Sequence, residues 1–285
     1  MSTGNEDQID YWNRQGRTWV EWQQRLDAQI APHGERALEV LAPEPGERIL
    51  DVGCGCGDSV LALADRVGPG GSVVGVDVSE PMLARARERV LAAGLSQVEL
   101  HQGDAAAIDL PGPSFDALFS RFGVMFFSDP AGAFRHLHGL LRPGGRLAFV
   151  CWRGREHNPW ITVPGMAIAQ AAVIPLPPPP PADAPGMLSL ARESRVREVL
   201  VAAGFDEVTI RAEDVVMTLG GGDLEAATDL FLEVGPVAGA LREADADEAT
   251  RARAREVVRK AFEAHAEGGG LSLGSGCWLV SAIRP

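Results

Sequence analysis

No run of apolar residues approaches the ~18 that a membrane-spanning helix needs, and the amino-terminal stretch MSTGNEDQIDYW is polar and acidic rather than an apolar leader. The chain is therefore expected in the cytoplasm, with no membrane partner. Cysteine is scarce: Cys54, Cys56, Cys151 and Cys277 form no CxxC pair, so neither a zinc site nor a disulfide framework is indicated, and no metal is expected. Tyrosine occurs once, at Tyr11. Positive charge is short as well, with 26 Lys and Arg against 39 Asp and Glu. The resulting net charge of −13 repels phosphate backbones and argues against a nucleic-acid partner. What is present is 46% hydrophobic and 23% charged residues over 285 positions, enough apolar side chain for a sizeable core, and a length that suggests about two domains or one with a large elaboration.

Residues 8–42 read as helices, with Trp19, Trp22 and Leu26 spaced as one apolar stripe. From 48 to 152 short apolar runs (48–52, 72–77, 98–101, 115–120, 146–152) alternate with helical stretches near 58–67, 80–93 and 131–141. That alternation predicts a parallel sheet of βαβ units, hence an α/β, doubly wound fold. Seven of the 20 prolines then fall between Pro175 and Pro185, which predicts an extended connector. A helix near 190–203, a strand near 206–212, a helical stretch over 223–266 and a last strand in GCWLVSAIRP complete the chain. The expected division is a helical lid (1–45), a core (46–152), a Pro-rich connector (153–189), remaining sheet elements (190–212 and 271–285) and a helical cap (213–270).

The chemistry is concentrated in RILDVGCGCGDSVLALA. A strand ends at Asp51, a turn follows with Gly53, Gly55 and Gly57, and a helix starts near Asp58. Glycine there permits positive φ and close approach of a ligand to the backbone, and the free N–H groups of the helix start face that ligand. Asp77 closes the next strand, where a carboxylate suits the two hydroxyls of a ribose. Together these features point to a nucleoside at the carboxyl edge of an open sheet. A dinucleotide is disfavoured, because the G-x-G-x-x-G spacing from Gly53 reaches Asp58 instead of glycine.

The run resembles motif I of the class I S-adenosylmethionine-dependent methyltransferases, and the likeness continues through VDVSEPML, HQGDAAAIDL, FDALFSRFGVMFF and LLRPGGRLAFVCW. It covers roughly residues 48–152. The resemblance implies a Rossmann-like seven-stranded sheet with a helical N-terminal lid and a helical insert before the last strand. It also implies S-adenosyl-L-methionine as cofactor and S-adenosyl-L-homocysteine as product. Carried over, it places Gly53, Cys54 and Gly55 along the methionine part, Asp51 near its ammonium, and Asp77 on the ribose. Val78 or Met82 falls on the adenine, Gly103, Asp104 and Ala105 at its amino group, and Ser120, Arg121 and Phe122 beside the sulfonium.

The sequence after the fourth strand reads SRFG, without the Asn-Pro-Pro-Tyr-type motif of amide and adenine methylation. A small-molecule acceptor is therefore expected, methylated at C, N or O, and CWRGREHNPW resembles bacterial quinone and secondary-metabolite methyltransferases. Quinone C-methylation and a non-catalytic nucleoside-binding module are the alternatives. His157 and Tyr11 are the candidate bases, with Arg121 beside them. Trp12, Trp19, Trp22, Phe126, Trp152 and Trp160 are candidate pocket walls. Arg251, Arg255 and Arg259 recur at helical spacing among acids, which reads either as a solvated face or as a binding stripe. The chain is expected to act as a monomer or homodimer.

Overall fold

A computed structural model describes residues 5–175, 181, 183–267 and 270–285. Five parallel strands, β1 (Arg48–Val52), β2 (Ser72–Asp77), β3 (Val98–Gln102), β4 (Phe115–Arg121) and β5 (Leu141–Trp152), are extended by antiparallel β6 (Asp206–Thr218) and β8 (Gly270–Ile283). The order across the sheet is β3-β2-β1-β4-β5-β8-β6, and a two-residue β7 (Ala266–Glu267) pairs with β8 outside this path. Ile49, Leu50, Val73, Val74, Val76 and Ala117 to Phe119 are at most 1% exposed, because helices cover both faces. Leu50 lies opposite Val74 on one side and Leu118 on the other, so the strand order reverses at β1. A doubly wound sheet opens its ligand crevice at that reversal, outside the carboxyl ends of β1 and β4.

Helices α3 (Asp58–Val67), α4 (Glu80–Ala92), α5 (Pro130–Leu140) and α7 (Glu193–Ala203) pack on the sheet. The amino-terminal helical stretch divides at Trp22 into α1 (Glu6–Glu21) and α2 (Gln23–Leu41). Only α1 is left as a cover. Leu26, Ala37, Leu38 and Leu41 of α2 are at most 4% exposed, and α2 packs against β4, β5, β6 and β8 as part of the helical layer.

Two expectations are corrected. The segment 153–189 is not an extended connector throughout, since α6 (Pro159–Gln170) forms within it. Pro159 stands at the first position, where no intrahelical donor is lost, Pro164 is accommodated inside the helix, and Trp160, Ile161 and Ile168 become buried. Residues 176–180 and 182 of the proline run lie outside the described residues. The cap over 213–270 is not helical at its ends. β6 runs on to Thr218, paired with Ser272 of β8, and helices α8 (Leu224–Glu233), α9 (Pro236–Glu243) and α10 (Glu248–Glu263) stand between the two long strands. The last strand is long because β6 continues to satisfy its backbone beyond Cys277, where pairing with β5 stops.

Candidate active site

The turn between β1 and α3 is held open by its own backbone. Gly53 (φ +72°) and Gly55 (φ +52°) are left-handed. A β-carbon at Gly53 would stand 2.7 Å from Gly123 Cα, and one at Gly55 would stand 2.8 Å from Met82 Cε, so both positions exclude a side chain. The Gly55 N–H donates to Asp77 Oδ2 at 2.8 Å and the Ser79 N–H to Asp77 Oδ1 at 2.9 Å, which fixes the carboxylate and leaves lone pairs on both oxygens. Burial raises the Asp77 pKa, against the hydrogen bonds from Ser79 and Gly55. Asp51 is fully buried. Its Oδ2 accepts from Ser59 Oγ at 2.5 Å, while Oδ1 has no partner among the described residues. Burial pushes its pKa up to about 7, with Ser59 and Arg121 opposing. Cys54 is buried, and burial raises its thiol well above the usual range, so it lines the turn as a neutral group.

Val78 and Met82 follow Asp77, Met82 buried and Val78 partly so. Across from them the Gly103 N–H donates to the Asp77 carbonyl at 3.0 Å. Asp104 Oδ1 accepts from the Ala106 N–H at 2.9 Å, and Ala105 is buried beside it. These residues share one rim of the crevice.

Aromatic rings form the opposite rim. Phe122 has φ +62°, a conformation that costs a bulky residue about 1–3 kcal/mol and persists only where surroundings enforce it. Its ring stacks on Trp152 at 3.9 Å and 11°. The row continues from Trp152 to Trp160 (4.9 Å), Phe231 (6.0 Å) and Phe262 (5.0 Å). Helix α1 crosses this edge: Trp12 meets Phe126 at 4.9 Å and Trp19 at 5.6 Å, and the Glu80 N–H donates to Asn13 Oδ1 at 3.1 Å. Gly16 lies so close to α4 that a β-carbon there would stand 2.2 Å from Ser79 Oγ.

Other expected residues have different surroundings. Ser120 is fully buried, donating to the Val52 carbonyl at 2.7 Å and accepting from the Gly123 N–H at 3.2 Å; it joins β4 to β1. Arg121 turns behind the glycine loop, donating to Asp58 Oδ2 at 2.8 Å and lying 3.5 Å from Asp27 Oδ1. Arg89 completes that cluster through Asp27 (2.9 Å), Asp58 (3.1 Å) and the Cys56 carbonyl (2.8 Å). Although burial opposes it, the two guanidiniums hold Asp58 below the usual carboxylate range. His157 is exposed, with Nε2 3.0 Å from Arg153 Nη2, so its lone pair is already engaged. Tyr11 is 38% exposed and meets the edge of Trp12 at 5.4 Å; burial raises its phenol pKa, with Arg242 of α9 opposing. Trp22 marks the α1–α2 break and lies 5.8 Å from the Arg25 guanidinium. Arg255 is committed to Asp229 and Glu225, Arg259 to Glu256 and Glu263, and Arg251 to the Ala246 carbonyl, which makes the stripe an internally paired face.

Sequence reasoning missed His33, a fully buried side chain of α2 that lies 5.4 Å from Phe122 and 5.1 Å from Trp152, ring to ring. Its only signal was a titratable residue inside an apolar helix face. It also missed Gly123, whose backbone closes on Gly53.

A methyltransferase-domain family model matches residues 49–145. The aklanonic acid methyltransferase DauC of Streptomyces sp. (strain C5) is 33% identical over 193 residues, covering 67% of this chain and 81% of that one. The nocamycin O-methyltransferase of Saccharothrix syringae is 36% identical over 195 residues, covering 65% of this chain and 68% of that one. The chain belongs to the S-adenosylmethionine-dependent methyltransferases. The sequence likeness decides this, not the fold. The [4+2]-cyclase SpnF superposes with a TM-score of 0.56 at 23% identity, covering 93% of this chain and 83% of that one, and it is named for a different reaction.

As a methyltransferase the chain uses S-adenosylmethionine, and its crevice fits that donor. The unpartnered Asp51 Oδ1 suits an ammonium, the Gly53–Gly55 cradle admits only a ligand without displacing a side chain, and Asp77 presents two oriented oxygens. Among the described residues no helix is long and apolar enough to cross a membrane.

Proposed function

We propose that this methyltransferase acts on an aromatic small molecule of the secondary-metabolite class, held against Phe122, Trp152, Trp160 and Phe126 and covered by Trp12 and Trp19 of α1. The observation that carries the reading is the stacked Phe122–Trp152 pair at the carboxyl ends of β4 and β5, one residue from the Gly53–Gly123 contact. A flat apolar wall beside the donor crevice selects a planar acceptor through area and ring geometry. The two relatives, whose names carry aklanonic acid and nocamycin, support the same class.

S-adenosylmethionine supplies a methyl group on a positively charged sulfur. In this reading Asp51 takes its ammonium, Asp77 its ribose hydroxyls, Val78 and Met82 one face of the adenine, and Gly103, Asp104 and Ala105 the adenine edge. Asp104 keeps one carboxylate oxygen for the amino group, since its Oδ1 serves Ala106. The chain contributes alignment and exclusion of water, which suffice for a displacement in which charge disperses. Ser120 and Arg121 act by shaping the rim rather than by contact with the acceptor.

The test is a radiolabelled methyl-transfer screen over aklanonic acid, demethylmenaquinone, hydroxylated polycyclic aromatics, a protein extract and total RNA. Transfer to one or more aromatic small molecules is expected. Transfer confined to protein or RNA overturns the reading.

A further inference from the structure

One edge of the sheet is long and uncovered. β6 ends the strand path and runs 13 residues, whereas β3 at the other edge runs 5. The β6 edge carries no proline, and its side chains are mostly exposed, Val216 at 71%. Such an edge pairs with another strand unless something blocks it. Which of its groups face outward follows from the ladder. The Arg153 N–H donates to the Gly276 carbonyl at 3.0 Å, so even-numbered residues of β8 bond β5 and odd-numbered ones bond β6. Those odd-numbered residues lie opposite odd-numbered residues of β6, Cys277 opposite Glu213 and Leu279 opposite Arg211. Ile210, Ala212, Asp214 and Val216 therefore turn their backbone N–H and C=O groups to the open edge.

We infer that a second copy of this chain occupies the edge, the two β6 strands pairing antiparallel about a two-fold axis at Ala212. The charges on the strand select both the occupant and the register. Arg211 is an exposed cation with no hydrogen bond or ion pair among the described residues. With Arg36, Glu39 and Glu213 it lines a groove of about 350 Å³ between α2 and β6. An axis at Ala212 sets Arg211 directly opposite Glu213 of the second copy, and the reverse, on the α2 face. Glu213 Oε1 serves Arg36 at 3.3 Å, which leaves Oε2 for that guanidinium. Other axes fail. One at Arg211 or at Glu213 sets like charges face to face, one at Ile210 sets Glu207 against Glu213, and one at Asp214 sets Arg211 against Met217. The Ala212 axis also pairs the strand over its whole length, since Asp206–Thr218 is centred there. On the other face it covers the exposed Val216 with Val208 of the second copy. Ile210, Ala212 and Asp214 then exchange backbone hydrogen bonds across the axis. The Arg197 guanidinium, which donates to the Val208 carbonyl at 2.9 Å, stands outside that central stretch. β5 and β8 separate β6 from β4, so pairing leaves the donor crevice open in both copies.

Sedimentation velocity of the purified chain tests this. A species of twice the chain's mass is expected at micromolar concentration. Arg211→Glu sets acid against Glu213 of the second copy, and Glu213→Arg sets base against its Arg211. Each variant alone should raise the dimer Kd by about tenfold or more, with circular dichroism unchanged. Val216→Asp, on the opposite face, should weaken the dimer as well. An equimolar mixture of Arg211→Glu and Glu213→Arg restores opposite charges at both positions, so it should dimerise as the unaltered chain does. Three results overturn the proposal: a monomer at every concentration, a dimer whose Kd these variants leave within about threefold, or a mixture no tighter than either variant alone. A ladder of larger species also overturns it, because it marks open head-to-tail pairing of β6 with β3.

Discussion

Cofactor binding should depend on pH through Asp51. Its carboxyl is fully buried and titrates near 7, with burial as the main cause and the nearby Asp77 and Asp58 adding to it. An ammonium beside Oδ1 prefers the ionised form, so each pH unit below about 7 should weaken binding about tenfold, or ~1.4 kcal/mol. At pH 5.5 about 3% of the carboxyl is ionised, which predicts S-adenosylhomocysteine affinity about thirtyfold below its plateau above pH 8. Calorimetry at pH 5.5, 6.5 and 7.5 in buffers of different ionisation enthalpy should show this rise, with close to one proton released per ligand at pH 6. Asp51→Asn should flatten the profile and hold affinity at or below the pH 5.5 value. The ligand-free stability runs the opposite way. The folded carboxyl keeps a proton that the unfolded chain has lost, so this residue's contribution falls as pH rises from about 4 to about 7. Affinity constant within twofold over the three pH values would refute the assignment of Asp51 to the ammonium.

Gly55→Val should abolish S-adenosylhomocysteine binding with far-ultraviolet circular dichroism unchanged, because its side chain meets Met82 from a left-handed backbone; normal binding would remove the turn from the site. Asp77→Ala should weaken binding by about 1.5–3 kcal/mol, the worth of hydrogen bonds to a charged group, and calorimetry that finds no change excludes it from the ribose contact. Gly16→Leu should drive α1 off α4 at Ser79, raise hydrogen exchange over residues 6–21 and reduce transfer, while the melting temperature of the core stays put. Arg89→Leu should cost roughly 2–4 kcal/mol in denaturant unfolding, near the low end for a broken buried pair, since it leaves Asp27 and Asp58 to share Arg121 alone.

The core was legible because its signals are local. Continuous apolar runs, the Gly53–Gly57 turn and Asp77 at a strand end each follow from neighbours within about twenty residues, so the alternation from 48 to 152 located β1 to β5 and α3 to α5 closely. The proposed donor rim, from Asp51 to Ala105, is drawn from that same span. The rest depended on contacts distant in sequence. Arg121 carried no local mark of its partners, and only the packing of α2 and α3 brings Asp27 and Asp58 to it. His157 looked well placed by position after β5, yet Arg153 takes its lone pair. α6 was hidden by two prolines, one at its first residue, and β6 and β8 were read short because their outer halves satisfy only each other. His33 and Ser275 lie 242 residues apart, and no period or spacing could join them. A backbone pattern is written in the sequence wherever propensity and burial repeat over a few residues. Which proton a side chain holds, and what it faces, is decided by neighbours that only the closed tertiary structure supplies.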